Sequence, residues 1–138
     1  MPNRLRGQLK VNETKTKENK EMKLKILHVK AKGGPNEEFV RLGVLDDCNL
    51  VDYGIMDQTF DEAGKLSNKL RHSYLFPDKE VKKGERVILR TGVGDDRTDR
   101  EKKPVVHRFY WGLETSVWND DTDKVVLFAA EAIDSKEV

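Results

Sequence analysis

The sequence predicts an all-β fold, a two-sheet β-sandwich of about seven to nine strands behind a disordered N-terminal tail. Three observations carry this expectation. From Leu24 onward the chain falls into short runs rich in Val, Ile, Leu, Phe and Tyr, separated by clusters of Gly, Pro, Asn and Asp, which is the punctuation of strands and turns. Within those runs apolar and polar residues alternate with a period of two: Phe39 and Arg41 against Val40 and Leu42, and Val87 and Leu89 against Arg86, Ile88 and Arg90. That period belongs to half-buried strands. Helical periodicity is weak throughout.

Taken in order, the strands are expected at Leu24 to Lys30, Glu38 to Val44, Tyr53 to Asp57, Ser73 to Phe76, Arg86 to Thr91, His107 to Tyr110 and Lys124 to Ala129. Seven such runs suit a sandwich of two sheets. Turn chemistry separates them at Gly33-Gly34-Pro35-Asn36, at Lys82-Lys83-Gly84-Glu85 and at Trp118-Asn119-Asp120-Asp121. Two longer intervals stand out. Residues 57–72 form a polar excursion with a short helical turn expected around Asp61 to Lys65, and residues 92–104 form a second, almost entirely charged one. Long surface loops on a rigid sandwich are where binding usually resides.

With 138 residues, 37% of them charged and 36% hydrophobic, the chain has material for one core and not two. Met1 to Met22 holds six Lys or Arg against three Glu and no aromatic residue, too little apolar surface to offset its own ordering entropy. Residues 1–22 are therefore read as a disordered basic tail and 23–138 as the folded domain. The tail carries +3 and the remainder −2, so no strongly basic folded face is expected. No apolar run has the length of an export signal or a membrane span, and Cys48 has no partner for an intrachain disulfide. The expectation is a cytoplasmic protein without membrane contact.

Four segments, in order, resemble the signature of the lamin tail domain, an immunoglobulin-like sandwich. Glu38-Phe39-Val40-Arg41-Leu42 is similar to that family's acidic, Phe, Val, any, Leu strand. Leu50-Val51-Asp52-Tyr53-Gly54-Ile55-Met56-Asp57 resembles its Gly, aromatic, any, aliphatic, any, Asp strand, with Tyr53 and Gly54 in reversed order. Tyr74-Leu75-Phe76-Pro77, followed by Val81 to Leu89 and Gly92, looks like its aromatic-Phe-Pro block and Lys-Gly-Glu hairpin. Val117-Trp118-Asn119 through Leu127 is similar to its Trp-Asn turn and last long strand. The resemblance spans about residues 24 to 133 and implies an immunoglobulin-like fold serving as an interaction module.

Asn119, Asp121 and Asp123 alternate oxygen ligands as calcium loops do, but Lys124 stands where an EF-hand needs Gly and Ala130 where it needs a bidentate Glu. They read as a turn whose side chains accept backbone N–H groups. Asp95, Asp96 and Asp99 lie among Arg97, Arg100, Lys102 and Lys103, a solvated mixed-charge loop rather than a metal cage. Gly92-Val93-Gly94 lacks the later Gly and the helix of a phosphate loop. His28, His72 and His107 fall on three elements with no ligand spacing between them, and Cys48 reads as a structural thiol. Consecutive strand residues face opposite ways, so Phe109 and Trp111 share one face while Arg108 and Tyr110 share the other.

These readings converge on a non-catalytic binding or scaffolding module, with no cofactor or metal, that presents loops and an edge strand to a protein partner. The alternative is weak nucleic-acid binding through the basic tail and the Arg and Lys of residues 97–108. The candidate contact residues are Arg97, Arg100, Lys102, Lys103, Arg108 and Tyr110.

Overall fold

The computed structural model describes residues 21–58, 72–118, 124–130, 132 and 134–138. Their strands are Leu24–Lys30 (β1), Phe39–Val44 (β2), Cys48–Asn49 (β3), Tyr53–Gln58 (β4), Ser73–Leu75 (β5), Glu80–Val81 (β6), Arg86–Arg90 (β7), Arg97–Asp99 (β8), Val106–Tyr110 (β9) and Lys124–Ala129 (β10), with one 3-10 turn at Leu50–Asp52. The fold is all-β, as expected. A five-stranded sheet in the order β1-β2-β7-β9-β8 faces a three-stranded sheet β10-β4-β5, and β3 and β6 form a short ladder. Pairing is antiparallel except between β7 and β9, which run parallel. The expected tail at 1–22 falls almost wholly outside the described residues. So do the expected helical turn at 61–65 and the turn at Asn119, Asp121 and Asp123.

Two-residue alternation becomes a core because each sheet turns one face inward. From the large sheet come Leu24, Val40, Leu42, Val87, Leu89 and Phe109; from the opposite side come Tyr53, Ile55 and Phe76, with Leu50 and Val81 from the connecting segments. Each such side chain contributes roughly 1.5–3 kcal/mol by leaving water. Aromatic rings line one end of the interior: Trp118 meets Trp111, Trp111 meets Tyr74, Tyr74 meets Phe76, and Phe76 meets Phe109, with centroids 5.1–6.2 Å apart. Burial, and secondarily the charge of Asp96, pushes the Tyr74 hydroxyl up to about 12.

Three short strands were not foreseen. β3 and β6 have two residues each, below what periodicity can register. β8 corrects the reading of residues 92–104 as a loop throughout: Arg97, Thr98 and Asp99 pair with Arg108, His107 and Val106. Their composition argues against a strand, but β9 offers a free edge, and the alternation places Thr98 inward and two charges outward.

Buried polar groups anchor the connections. Glu38 is fully buried; its Oε1 accepts from Thr91 Oγ1 at 3.0 Å and from the Val117 N–H at 2.9 Å, and its Oε2 accepts from the Trp118 N–H at 3.3 Å. That one side chain ties the 117–118 segment to the large sheet. His107, 1% exposed, lies with Nε2 2.7 Å from Glu85 Oε1 and Nδ1 3.0 Å from Thr98 Oγ1. The Glu85 carboxylate can only accept, so Nε2 donates to it, while the Thr98 hydroxyl can serve Nδ1 as donor or acceptor. Asp57 and His72 close the base of the 57–72 excursion, Asp57 N–H donating to His72 O at 3.2 Å and His72 N–H to Asp57 Oδ1 at 2.9 Å.

Candidate binding surface

The outer face of the five-stranded sheet follows from register alone, since residues opposite one another on neighbouring strands share a side. One cross-strand row runs Lys30, Phe39, Arg90, Tyr110. The next runs His28, Arg41, Ile88, Arg108, Arg97. The third runs Lys25, Gly43, Arg86, Val106, Asp99. Adjacent strands lie about 4.8 Å apart, so five of them make a face about 19 Å wide. A register irregularity in β1 between Ile26 and His28 lets Leu27 stay on this side, where it covers Gly43; a Cβ there would stand 3.0 Å from Leu27 Cδ1.

The three rows hold seven cationic side chains and a single carboxylate, Asp99. This concentrates cations beyond what the expectation of no strongly basic folded face foresaw, with Glu37 beside Lys30 and Asp96 beside Tyr110 at the margin of the rows. The net charge of −2 is an average over a segregated surface. Acidic residues such as Asp46, Asp47, Asp78 and Glu80 occupy turns and the small ladder, away from the outward rows of β2 and β7.

Local contacts divide the cations by how far they are engaged. Arg108 donates from Nε to Asp99 Oδ2 at 2.7 Å, and Arg97 Nε lies 3.5 Å from Asp99 Oδ1. Hydrogen bonding from Arg108, opposed by burial and joined by both guanidinium charges, holds Asp99 below its ordinary value. Arg90 reaches the Asn36 carbonyl at 3.2 Å while its guanidinium lies 5.4 Å over the Phe39 ring, which also sits 5.8 Å from the His28 ring. Arg86 donates to the carbonyls of Gly84 and Glu85. Lys30 pairs with Glu37 at 3.1 Å. Arg41 is exposed in the middle of the face, with no ion-pair or hydrogen-bond partner among the described residues.

Of the residues singled out from sequence, the structure brings Arg97, Arg108 and Tyr110 together on β8 and β9. Arg100, Lys102 and Lys103 are exposed on the segment after β8. Tyr110 is tied into the fold: its N–H donates to Asp96 Oδ1 at 3.0 Å, its hydroxyl accepts from Arg97 at 3.3 Å, and Gly94 lies against its ring. A groove of about 360 Å³ between residues 77–79 and 96–100 is lined by Arg97, Arg100 and Arg108. Sequence reasoning missed Lys25, Lys30, Arg41, Arg86 and Arg90. Their signal was present as the polar half of each alternation, but only pairing shows that those halves share one face.

Cys48 packs against the core edge, and burial, with Asp52, Asp46 and Asp47 outweighing Lys23, pushes its thiol up. Among the described residues no group of three His, Cys, Asp or Glu side chains is placed to hold a metal ion, and no helix is long and apolar enough to cross a membrane. Neither a scan against protein-family models nor a search of curated proteins returned a match.

Proposed function

We propose that the protein is a non-catalytic binding module, cytoplasmic, whose working surface is the outer face of the five-stranded sheet together with the β8 edge. The observation that supports this is the collection of seven cations and one carboxylate on one face of a chain whose net charge is only +1. Such a face attracts an anionic partner far more strongly than the average charge implies. Two titratable groups inside the sandwich, Glu38 and His107, have partners within the fold, which fits a structural role for them. The likeness to lamin tail domains remains part of this reading. In its support, the described parts of its four blocks fall largely on β2, β4, β5 to β7 and β10, in chain order.

Retention on an immobilised polyanion such as heparin tests the reading. At +1 the protein should elute early if charge were spread evenly; a segregated face predicts elution at distinctly higher salt. Arg41→Glu should lower the eluting salt more than Lys83→Glu, which makes the same charge change outside the three rows. Equal shifts from the two variants would refute a localised face.

A further inference from the structure

We infer that the partner held on this face is a single-stranded nucleic acid, an inference that rests on reading the outer face of the large sheet as the binding surface. Charge asks only for an anion; the side chains between the charges narrow the choice. The row Lys30, Phe39, Arg90, Tyr110 alternates cation and ring across four strands. Phe39 and Tyr110 stand two strand spacings apart, about 9.6 Å, with the Arg90 guanidinium between them and over the Phe39 ring. Rings and guanidinium planes set among phosphate-binding cations are what unpaired bases stack upon.

The neighbouring row supplies the backbone contacts. Arg41 has no ion-pair or hydrogen-bond partner among the described residues, and beyond Ile88 in the same row Arg108 and Arg97 stand at the β8 edge, both engaged with Asp99. Five of the seven cations are Arg, whose fork engages two phosphate oxygens at once. An acidic polypeptide would use the charges alone, whereas bases would also use the ring surface that Phe39 and Tyr110, half-buried by their contacts with Arg90, His28 and Gly94, still present. A duplex hides its base faces and is read by an element that enters a groove, whereas this surface is the face of a sheet. A strand laid along the ring-bearing row, its phosphates toward the Arg41 row, uses both sets of side chains.

The test is fluorescence anisotropy with the full chain and three labelled probes: a mixed-sequence single-stranded 20-mer, the same sequence as duplex, and poly-glutamate, each titrated with salt. The single strand should bind more tightly than the duplex. Arg41→Glu should weaken it about tenfold and reduce the salt slope by about 0.7. Phe39→Leu, which keeps apolar volume but removes the ring, should weaken it about tenfold with the slope unchanged. Asp99→Asn, which removes the face's carboxylate, should tighten binding. Thermal melts confirm that each variant folds.

Equal binding of strand and duplex, or no effect of Phe39→Leu in a folded variant, overturns the inference. So does binding that survives Arg41→Glu but disappears when residues 1–22 are deleted, because the tail would then be the site. Arg41-dependent binding of poly-glutamate without any binding of nucleic acid sinks the inference while leaving the binding-module reading standing. Failure of all three probes sinks both.

Discussion

Replacing Glu38 tests whether one buried side chain holds the 117–118 segment in place. Glu38→Ala leaves three donors without their acceptor: the Thr91 hydroxyl and the Val117 and Trp118 N–H groups. Each costs about 1–3 kcal/mol when left unmet inside. Water entering the vacated space recovers part of that, so a loss of about 3–5 kcal/mol is expected, a large share of a typical domain's 5–15 kcal/mol. Glu38→Gln keeps one acceptor oxygen but turns an NH₂ toward a donor, for about 1–2 kcal/mol. Thr91→Val removes one donor and leaves the other two bonds in place, for about 1 kcal/mol. Urea unfolding followed by tryptophan fluorescence reads all three, since Trp118 is itself buried beside the site. Amide exchange at Val117 and Trp118 should accelerate in the alanine variant. A Glu38→Ala protein within about 0.5 kcal/mol of the parent, or an alanine variant no worse than Thr91→Val, would refute the reasoning.

The remaining predictions concern packing, pH and thiol chemistry. Gly54→Ala places a Cβ 2.4 Å from Phe128 Cζ and 2.8 Å from the Tyr74 carbonyl. It should cost about 2–3 kcal/mol by urea unfolding, whereas Gly43→Ala, which meets only the flexible end of Leu27 at 3.0 Å, should cost clearly less. Glu85 is held below its ordinary 4.5: burial opposes this, but hydrogen bonds from His107 and the Lys82 N–H, with His107 and Arg100 nearby, outweigh it. The stability it contributes is therefore complete above that value and lost as pH falls through the depressed one. Glu85→Gln should flatten the acid limb of a melting-temperature profile below about pH 4.5. Cys48 should react with iodoacetamide more slowly at neutral pH than a free model thiol, its rate levelling off at a higher pH than the model thiol's does. A reaction as fast as the model thiol would contradict its burial.

How much was legible follows from length scales. β2, β7 and β9 were readable from their own alternation, and β1, β4 and β10 from short apolar runs between turn signals; the inward turn of Phe109 with the outward turn of Arg108 and Tyr110 came from the alternation rule. β8 was hidden because Arg97, Thr98 and Asp99 form a strand only by virtue of the β9 edge beside them. Glu38 read as an ordinary acidic strand residue. Its role depends on Thr91, Val117 and Trp118, dozens of positions away, converging on it.

The sequence by itself determined the all-β class, the inward set of apolar residues and the turns at 33–36 and 82–85, all consequences of interactions within a few residues. Only the tertiary structure decided where the charge goes. Lys25 and Arg108 lie more than eighty positions apart, and a one-residue slip between any two intervening strands would turn a whole row of side chains to the other face. Because sequence counts charge by residue and register arranges it by face, a nearly neutral chain gathers seven cations and one carboxylate into the outward rows of one sheet.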